Sequence, residues 1–312
     1  MPPYKLAIIG YGKIAQDQHL LAIQSSGVFE LAAVTSGHAK TIPGVEKVFS
    51  KDAQMYAEAP EVACVAICSA PAKRFDAARR ALLAGKHVLL EKPPAATLGE
   101  ARALVNLAQS HGLTLFGAWH ARANPAVVEA AARLKGEQVA TLSVTWKEDV
   151  RKWHPGQEWV WDAGGFGVFD PGINALSIVT AILPAEVFVR TAKLSIPSNR
   201  QSPIAVELGF GSEPPGDILT AIFDWRQTGP QTWNIEIQTR SGRTLLLTEG
   251  GAKLEVDGQT VKTAPSREYP DLYARFAELL AKGASDADLR PLELVADAFM
   301  CGERQQVEPF SF

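Results

Sequence analysis

Over the first third of the chain, short apolar runs stopped by glycine alternate with stretches of helical periodicity. Residues 5–9 (Lys-Leu-Ala-Ile-Ile) form such a run, ending at Gly10. Its lack of alternating polar positions predicts a strand buried on both faces. A helical pattern follows over 14–25, a strand over 29–35, a helix over 52–59 and a strand over 62–68. Next come a helix over 75–84 closed by Gly85, a strand over 87–90, a helix over 98–111 followed by Gly112, and a strand over 113–118. Glycine just past a helix end suits the left-handed turn that stops it. The strict alternation predicts βαβ units on a doubly wound parallel sheet, an α/β domain over residues 1–120.

The texture then changes. One more helix is predicted over 125–135, followed by strands over 139–147, 187–194, 204–209, 218–225, 232–239, 243–248 and 252–256 in meander order. Glycine turns join several of them, such as Ser241-Gly242 and Gly250-Gly251. Helices over 270–282 and 291–304 close the chain. Residues 121–312 therefore read as an α+β domain with an open, mostly antiparallel sheet for substrate binding and oligomerisation. A C-terminal helix is free to pack back on the first domain. Two domains also suit 312 residues, because single cores stop growing near about 250–300.

Composition narrows the function. The chain is 46% hydrophobic and 21% charged with a net charge of −3, which excludes a disordered or collagen-like chain. That balance offers no electrostatic attraction for nucleic acid or an anionic membrane, and no apolar run is long enough to span a bilayer. Cys64, Cys68 and Cys301 form no paired framework and no zinc spacing. With no signal-peptide pattern at the start, the expectation is a cytoplasmic protein without a metal. Apolar positions on both sides of strands such as Val187-Phe188-Val189 predict a homodimer through the second sheet.

Gly10-Tyr11-Gly12-Lys13-Ile14-Ala15 fits Gly-x-Gly-x-x-Gly/Ala between a strand and a helix. That context predicts a dinucleotide-binding Rossmann domain: Gly10 for the tight turn, Gly12 for close approach of a pyrophosphate, Ala15 for helix–strand packing. NAD-binding domains carry an acid at the end of the second strand for the ribose hydroxyls. Here that strand ends in Thr35-Ser36-Gly37-His38. Ser36 can donate to a 2′-phosphate and His38 can lie against it, so NADP is favoured with NAD also accepted. The plainer alternative is two polar loop residues facing solvent.

Glu91-Lys92-Pro93-Pro94 follows the fourth predicted strand, at the ligand-binding edge of the sheet. Together with the glycine loop it resembles the glucose–fructose oxidoreductase and inositol dehydrogenase superfamily. Three longer stretches are similar to its bacterial D-galactose and L-arabinose 1-dehydrogenases. They are the loop continued through Gln16-Asp17-Gln18-His19, residues 146–157 (Trp-Lys-Glu-Asp-Val-Arg-Lys-Trp-His-Pro-Gly-Gln), and residues 167–180 from Gly167 to Thr180. The resemblance covers the whole chain. Many superfamily members carry histidine four residues after the aspartate of the last stretch. This chain has Asn174, as the aldose dehydrogenases do.

The resemblance implies NAD(P)-dependent oxidation of the C1 hydroxyl of a cyclic sugar to an aldono-lactone. It also implies a cis Lys92–Pro93 bond, a cofactor set of Gly10, Gly12, Lys13, Ile14, Ser36, His38, Ser69, Glu91, Lys92 and His120, Asp170 as the acid/base, and Asn174 on the C1 or ring oxygen. The residues permit this chemistry. A lysine desolvated beside a nicotinamide can act as base or relay, whereas a lysine merely capping a strand end is the alternative for Lys92. Asp170 and Asn174 share one helical face, yet Asp170 before Pro171 is also a good N-cap. Glu148 and His154 can hydrogen-bond sugar hydroxyls and Trp153 can stack on a sugar face, or the segment can be a salt-bridged surface. His120 can cover the nicotinamide or the sugar, and Trp233 can wall the pocket or fill the core. A keto-sugar or imine reductase and a non-catalytic dinucleotide sensor are the competing functions. The cysteine spacing excludes a zinc alcohol dehydrogenase. A short-chain dehydrogenase is excluded because no tyrosine has lysine four residues later.

Overall fold

The computed structural model describes residues 3–312. The chain opens with β1 (Tyr4–Ile9), a π-helical stretch Ala15–His19 running into α1 (Leu20–Ser26), β2 (Phe29–Thr35), β3 (Val48–Phe49) and α2 (Asp52–Glu58). It continues through β4 (Cys64–Ile67), α3 (Pro71–Leu83), β5 (His87–Glu91), α4 (Leu98–Ser110) and β6 (Leu115–Ala118). The six strands form one parallel sheet in the order β3-β2-β1-β4-β5-β6. The order reverses between β1 and β4, the crevice where such sheets bind ligands. Both faces are covered: Leu6, Ile8, Ala66 and Leu89 enter one core, and Ala7, Ile9, Val65, Ile67, Val88 and Leu90 the other. That double burial is why these strands are unbroken apolar runs. A capping box of Thr97 and Glu100 fixes the start of α4.

The second part comprises α5 (Pro125–Leu134), β7 (Val139–Lys147), α6 (Val150–Trp153), α7 (Phe169–Ile182), β8 (Val187–Pro197), β9 (Ala205–Ser212) and β10 (Ile218–Asp224). Then come β11 (Thr232–Thr239), β12 (Thr244–Thr248), β13 (Lys253–Val256), β14 (Gln259–Thr263), α8 (Glu268–Lys282), α9 (Arg290–Cys301) and β15 (Glu303–Val307). Nine strands form a mixed sheet in the order β14-β13-β12-β11-β7-β10-β9-β8-β15. Pairing is antiparallel except for β7/β10 and β8/β15.

A simple meander is therefore corrected. β7 lies between β10 and β11, and its parallel pairing with β10 spans the long crossover through α6, α7, β8 and β9. The polar edge strands β14 and β15 were not legible, because a strand paired on one side and exposed on the other need not alternate. Residues of β15 read instead as the end of the last helix.

The chain forms two compact units: residues up to His120 with Glu268–Leu289, and Ala121–Arg267 with Arg290–Phe312. The sequence division at residue 120 placed 121–312 in the second and left a C-terminal helix free to pack back on the first; the helix that does so is α8, not the last one. Helix α8 buries Tyr269, Leu272, Tyr273, Phe276 and Leu279 in the core that holds Leu6, Ile8 and Phe29, while α9 stays with the second unit. Among the described residues, no helix is long and apolar enough to cross a membrane.

In the second unit, α7 is almost wholly buried and is seated on the sheet at Gly172. A Cβ there would lie 2.5 Å from the fully buried Phe223 ring. Gly172→Ala is therefore expected to lower stability by about 1–3 kcal/mol through overpacking. Urea unfolding of the two proteins measures it, and an unchanged midpoint contradicts the seating.

Candidate active site

In the first unit, Gly10 adopts φ +91°, and a Cβ on it would lie 2.7 Å from the Ser69 amide nitrogen. Only glycine lets the end of β1 pass that close to the end of β4. A Cβ at Gly12 would meet nothing within 4 Å, so the loop has open space beside it. Ala15 is fully buried, whereas Lys13 is exposed and ion-paired with Asp17 one turn on. Ile14 is exposed too. The buried Ser69 hydroxyl has no hydrogen-bond partner. A glycine cradle beside an orphaned hydroxyl fits a dinucleotide phosphate. Ser36 is buried, and its Oγ accepts from the amides of His38 (3.3 Å) and Ala39 (3.0 Å), shaping the loop that presents the exposed His38.

At the end of β5, Glu91 is 2% exposed and fully engaged. Its Oε1 accepts from Tyr269 (2.6 Å) and lies 2.9 Å from His19 Nε2, while Oε2 accepts from the Lys92 amide (2.8 Å). His19 Nδ1 lies 2.8 Å from the Tyr273 hydroxyl. Burial alone would raise the Glu91 carboxyl, but the adjoining His19 holds it well below the usual carboxylate range. Burial likewise opposes a charge on His19, and Cys68, Tyr273 and Glu91 together outweigh it, so His19 titrates well above its ordinary value. The Lys92–Pro93 bond is cis, and the buried Arg74 donates to the Pro93 carbonyl. His120 pairs with Glu268 at 3.0 Å and stacks on Tyr269 with centroids 5.4 Å apart. Burial pushes His120 down, and Glu268 and Glu91 carry it above its ordinary value.

Sequence reasoning missed His19, Tyr269 and Tyr273. His19 lay inside the motif that carried the resemblance, but a lone histidine does not disclose its partner. Tyr269 is 178 residues from Glu91.

In the second unit, Asp170 is not a helix cap. It is the second residue of α7; Val168 occupies the N-cap without a side-chain cap, and the Asp170 amide already bonds the Gly167 carbonyl at 2.9 Å. Its Oδ2 lies 3.3 Å from His154 Nε2, and both side chains are largely buried. Asn174 follows one turn later, half-buried.

The loop that delivers Asp170 is strained. Phe166, buried and β-carbon-bearing, sits at φ 75°, and a Cβ on Gly165 or Gly167 would collide with the backbone of Trp159 and Val160 or of Pro203. Strain of this kind concentrates at functional sites.

Glu148 is 4% exposed, so it is no member of a surface salt-bridge array. Its Oε1 accepts from the Trp225 indole (3.2 Å) and its Oε2 from that of Trp233 (2.9 Å). Trp233 stacks on Trp146 at 5.7 Å and meets Trp153 at 5.5 Å. Trp153 remains 38% exposed, with the Lys152 ammonium 5.0 Å from its ring centroid. Asp149 caps α6, the short helix that carries Trp153 and leads to His154.

The glycine cradle of the first unit fits a dinucleotide-binding oxidoreductase. Residues 4–118 match the oxidoreductase family with an NAD-binding Rossmann fold, GFO/IDH/MocA, and the chain belongs to that family. It is 44% identical over 310 residues to the galactose 1-dehydrogenase of Pseudomonas fluorescens, covering 99% of each protein. It also matches the crystal structure of a D-galactose-1-dehydrogenase from Rhizobium etli with a TM-score of 0.94 and 50% identity, covering 100% of this chain and 99% of that one. A 3-ketoreductase from Actinomadura kijaniata, crystallised with NADP and TDP-benzene, shares the fold at 19% identity and a TM-score of 0.86, covering 98% and 100%.

The buried pair in the first unit makes stability depend on pH. The raised His19 contributes stability fully below its ordinary value of 6.5 and loses it as pH rises through the folded value. The lowered Glu91 contributes above its ordinary 4.5 and loses it as pH falls. Above pH 6.5 the advantage of the native protein over His19→Gln should therefore shrink, at up to about 1 kcal/mol per pH unit. Urea unfolding from pH 6 to 9 checks it, and a difference constant over that range contradicts the pair.

Proposed function

We propose that the protein is an NADP-dependent aldose 1-dehydrogenase that oxidises the C1 hydroxyl of D-galactose, and of L-arabinose, to the lactone. The observation that carries this reading is the second unit's grouping of an exposed indole, a carboxylate clamped by two indoles, and a buried aspartate paired with histidine. Aromatic faces suit the apolar face of a sugar ring, and carboxylates suit its hydroxyls. Whole-chain similarity to two galactose 1-dehydrogenases supports the substrate class. D-galactose and L-arabinose differ at one ring substituent, so one set of hydroxyl contacts serves both.

The bound nicotinamide supplies the acceptor for the hydrogen leaving C1 with its electron pair. In the second unit, Asp170 takes the C1 hydroxyl proton through Oδ2, and the His154 ring holds that oxygen in place. The Asn174 amide steadies the C1 or ring oxygen and does not titrate. Trp153 stacks on the sugar and Trp233 walls its pocket, while Glu148 is the candidate carboxylate for its hydroxyls. In the first unit, Lys92 is the candidate base or proton relay beside the nicotinamide, and His120 is the candidate to cover the nicotinamide.

Ser69, Gly10, Gly12, Lys13 and Ile14 would surround the dinucleotide; Glu91, expected there from the sequence, is instead buried with both oxygens held by protein donors. Ser36 and His38 receive the 2′-phosphate, with no acid at the end of β2 to repel it, so NADP is preferred and NAD accepted. Phe188, Ile218 and Ile222 share an exposed face of the nine-stranded sheet, which supports a homodimer through it. Three free cysteines support a cytoplasmic location.

Initial rates with D-galactose, L-arabinose and their epimers, each with NADP and with NAD, test the reading; no cofactor reduction with any aldose overturns it. Within that assay, Asp170→Asn should lower kcat by about 10²–10⁴, the range for a positioned base, with cofactor affinity little changed. Asp170→Asn also disturbs the buried pairing with His154, so thermal unfolding of this variant is expected to fall below that of the native protein and is measured beside turnover to separate the two losses. Near-normal turnover would remove Asp170 from the chemistry.

A further inference from the structure

Glu91 buries a carboxylate where an apolar pair of similar volume would be as stable or more so. Such a group has to be answered by protein donors, and these come from three places in the first unit. His19 reaches Oε1 from the π-helical stretch that follows the phosphate loop, Tyr269 reaches the same oxygen from α8, and the Lys92 amide occupies Oε2. The orientation of the carboxylate therefore decides where the Lys92 peptide lies, and the two aromatic residues decide the orientation of the carboxylate.

His19 is itself fixed. Its other nitrogen meets Tyr273, one turn along α8 from Tyr269, and its ring packs edge-on against both tyrosines with centroids 4.9 and 5.7 Å apart. Tyr269 also stacks on His120, which is tied to Glu268 on the same helix. π-helical turns are rare and cluster at functional sites; this one ends at His19.

We propose that His19, with Tyr269 and Tyr273, is a positioning device for Lys92: acting through Glu91, it fixes the peptide from which the Lys92 side chain departs and links that peptide to the segment after the phosphate loop. This rests on the role assigned to Lys92 above. A positioning error of about 1 Å at a reacting group costs as much as 100-fold in rate, so the device controls turnover more than binding.

The test is a pair of double-mutant cycles. His19→Gln and Tyr269→Phe are each made alone and in a Lys92→Ala background, and kcat, the sugar KM and the NADP dissociation constant are measured on proteins whose fold is confirmed by circular dichroism. Tyr269→Phe deletes one hydroxyl and keeps the ring, so it remains informative if His19→Gln does not fold. Each single variant is expected to lower kcat by about 10–100-fold, with the sugar KM and NADP affinity within about threefold. In the Lys92→Ala background the same substitutions should cost less than about twofold, because the residue through which they act is gone. An undiminished cost in that background, or native turnover in folded single variants, overturns the proposal. Native turnover in Lys92→Ala alone overturns instead the role of Lys92 on which it rests.

Discussion

A carboxylate removed from water must be satisfied entirely by its neighbours, and the first unit is organised around one. Glu91 ends β5 and is answered from the segment after the phosphate loop, from α8 and from the next peptide in the chain. The demand explains why α8, late in sequence, belongs to the dinucleotide-binding unit. Its apolar residues fill that core, and its tyrosines complete the coordination of the buried charge. Removing a single donor would leave that charge only partly compensated, which is costly in an interior.

The second unit uses the same physics with different donors. Both oxygens of Glu148 are held by indole N–H groups that also present aromatic surface. Asp170 is delivered by a loop whose glycines and left-handed Phe166 leave little conformational freedom. Its amide is already bonded within the turn, and its side chain meets His154. In both units a buried carboxylate is held by fixed backbone and buried partners, the arrangement that the proposed site would require.

The parallel sheet was readable from sequence because burial on both faces writes itself as unbroken apolar runs such as residues 5–9, and because Gly10 and Gly12 sit where strand becomes helix. The strands of the second sheet were readable by their alternation, but their pairing was not. Nothing local records that β7 joins β10 in parallel across many intervening residues. β14 and β15 were invisible because an edge strand can be polar on every side. Asp170 before Pro171 looked like a cap, and only the hydrogen bonds of the preceding turn show otherwise. Glu148 reads from sequence either as a sugar ligand or as part of a charged surface, and the burial that rules out the surface comes with indole partners 77 and 85 residues away. The His19–Glu91 pair, separated by 72 residues, was hidden for the same reason.

The claim on which the functional account stands is that a hydrogen leaves C1 of the sugar directly for the nicotinamide. Incubating the protein with NADP and D-galactose deuterated at C1, then locating the label by mass spectrometry, measures it. The account predicts deuterium on the reduced nicotinamide, an unlabelled lactone and a rate slower than with unlabelled sugar. Deuterium retained in the sugar product, with the cofactor unreduced or unlabelled, would contradict it.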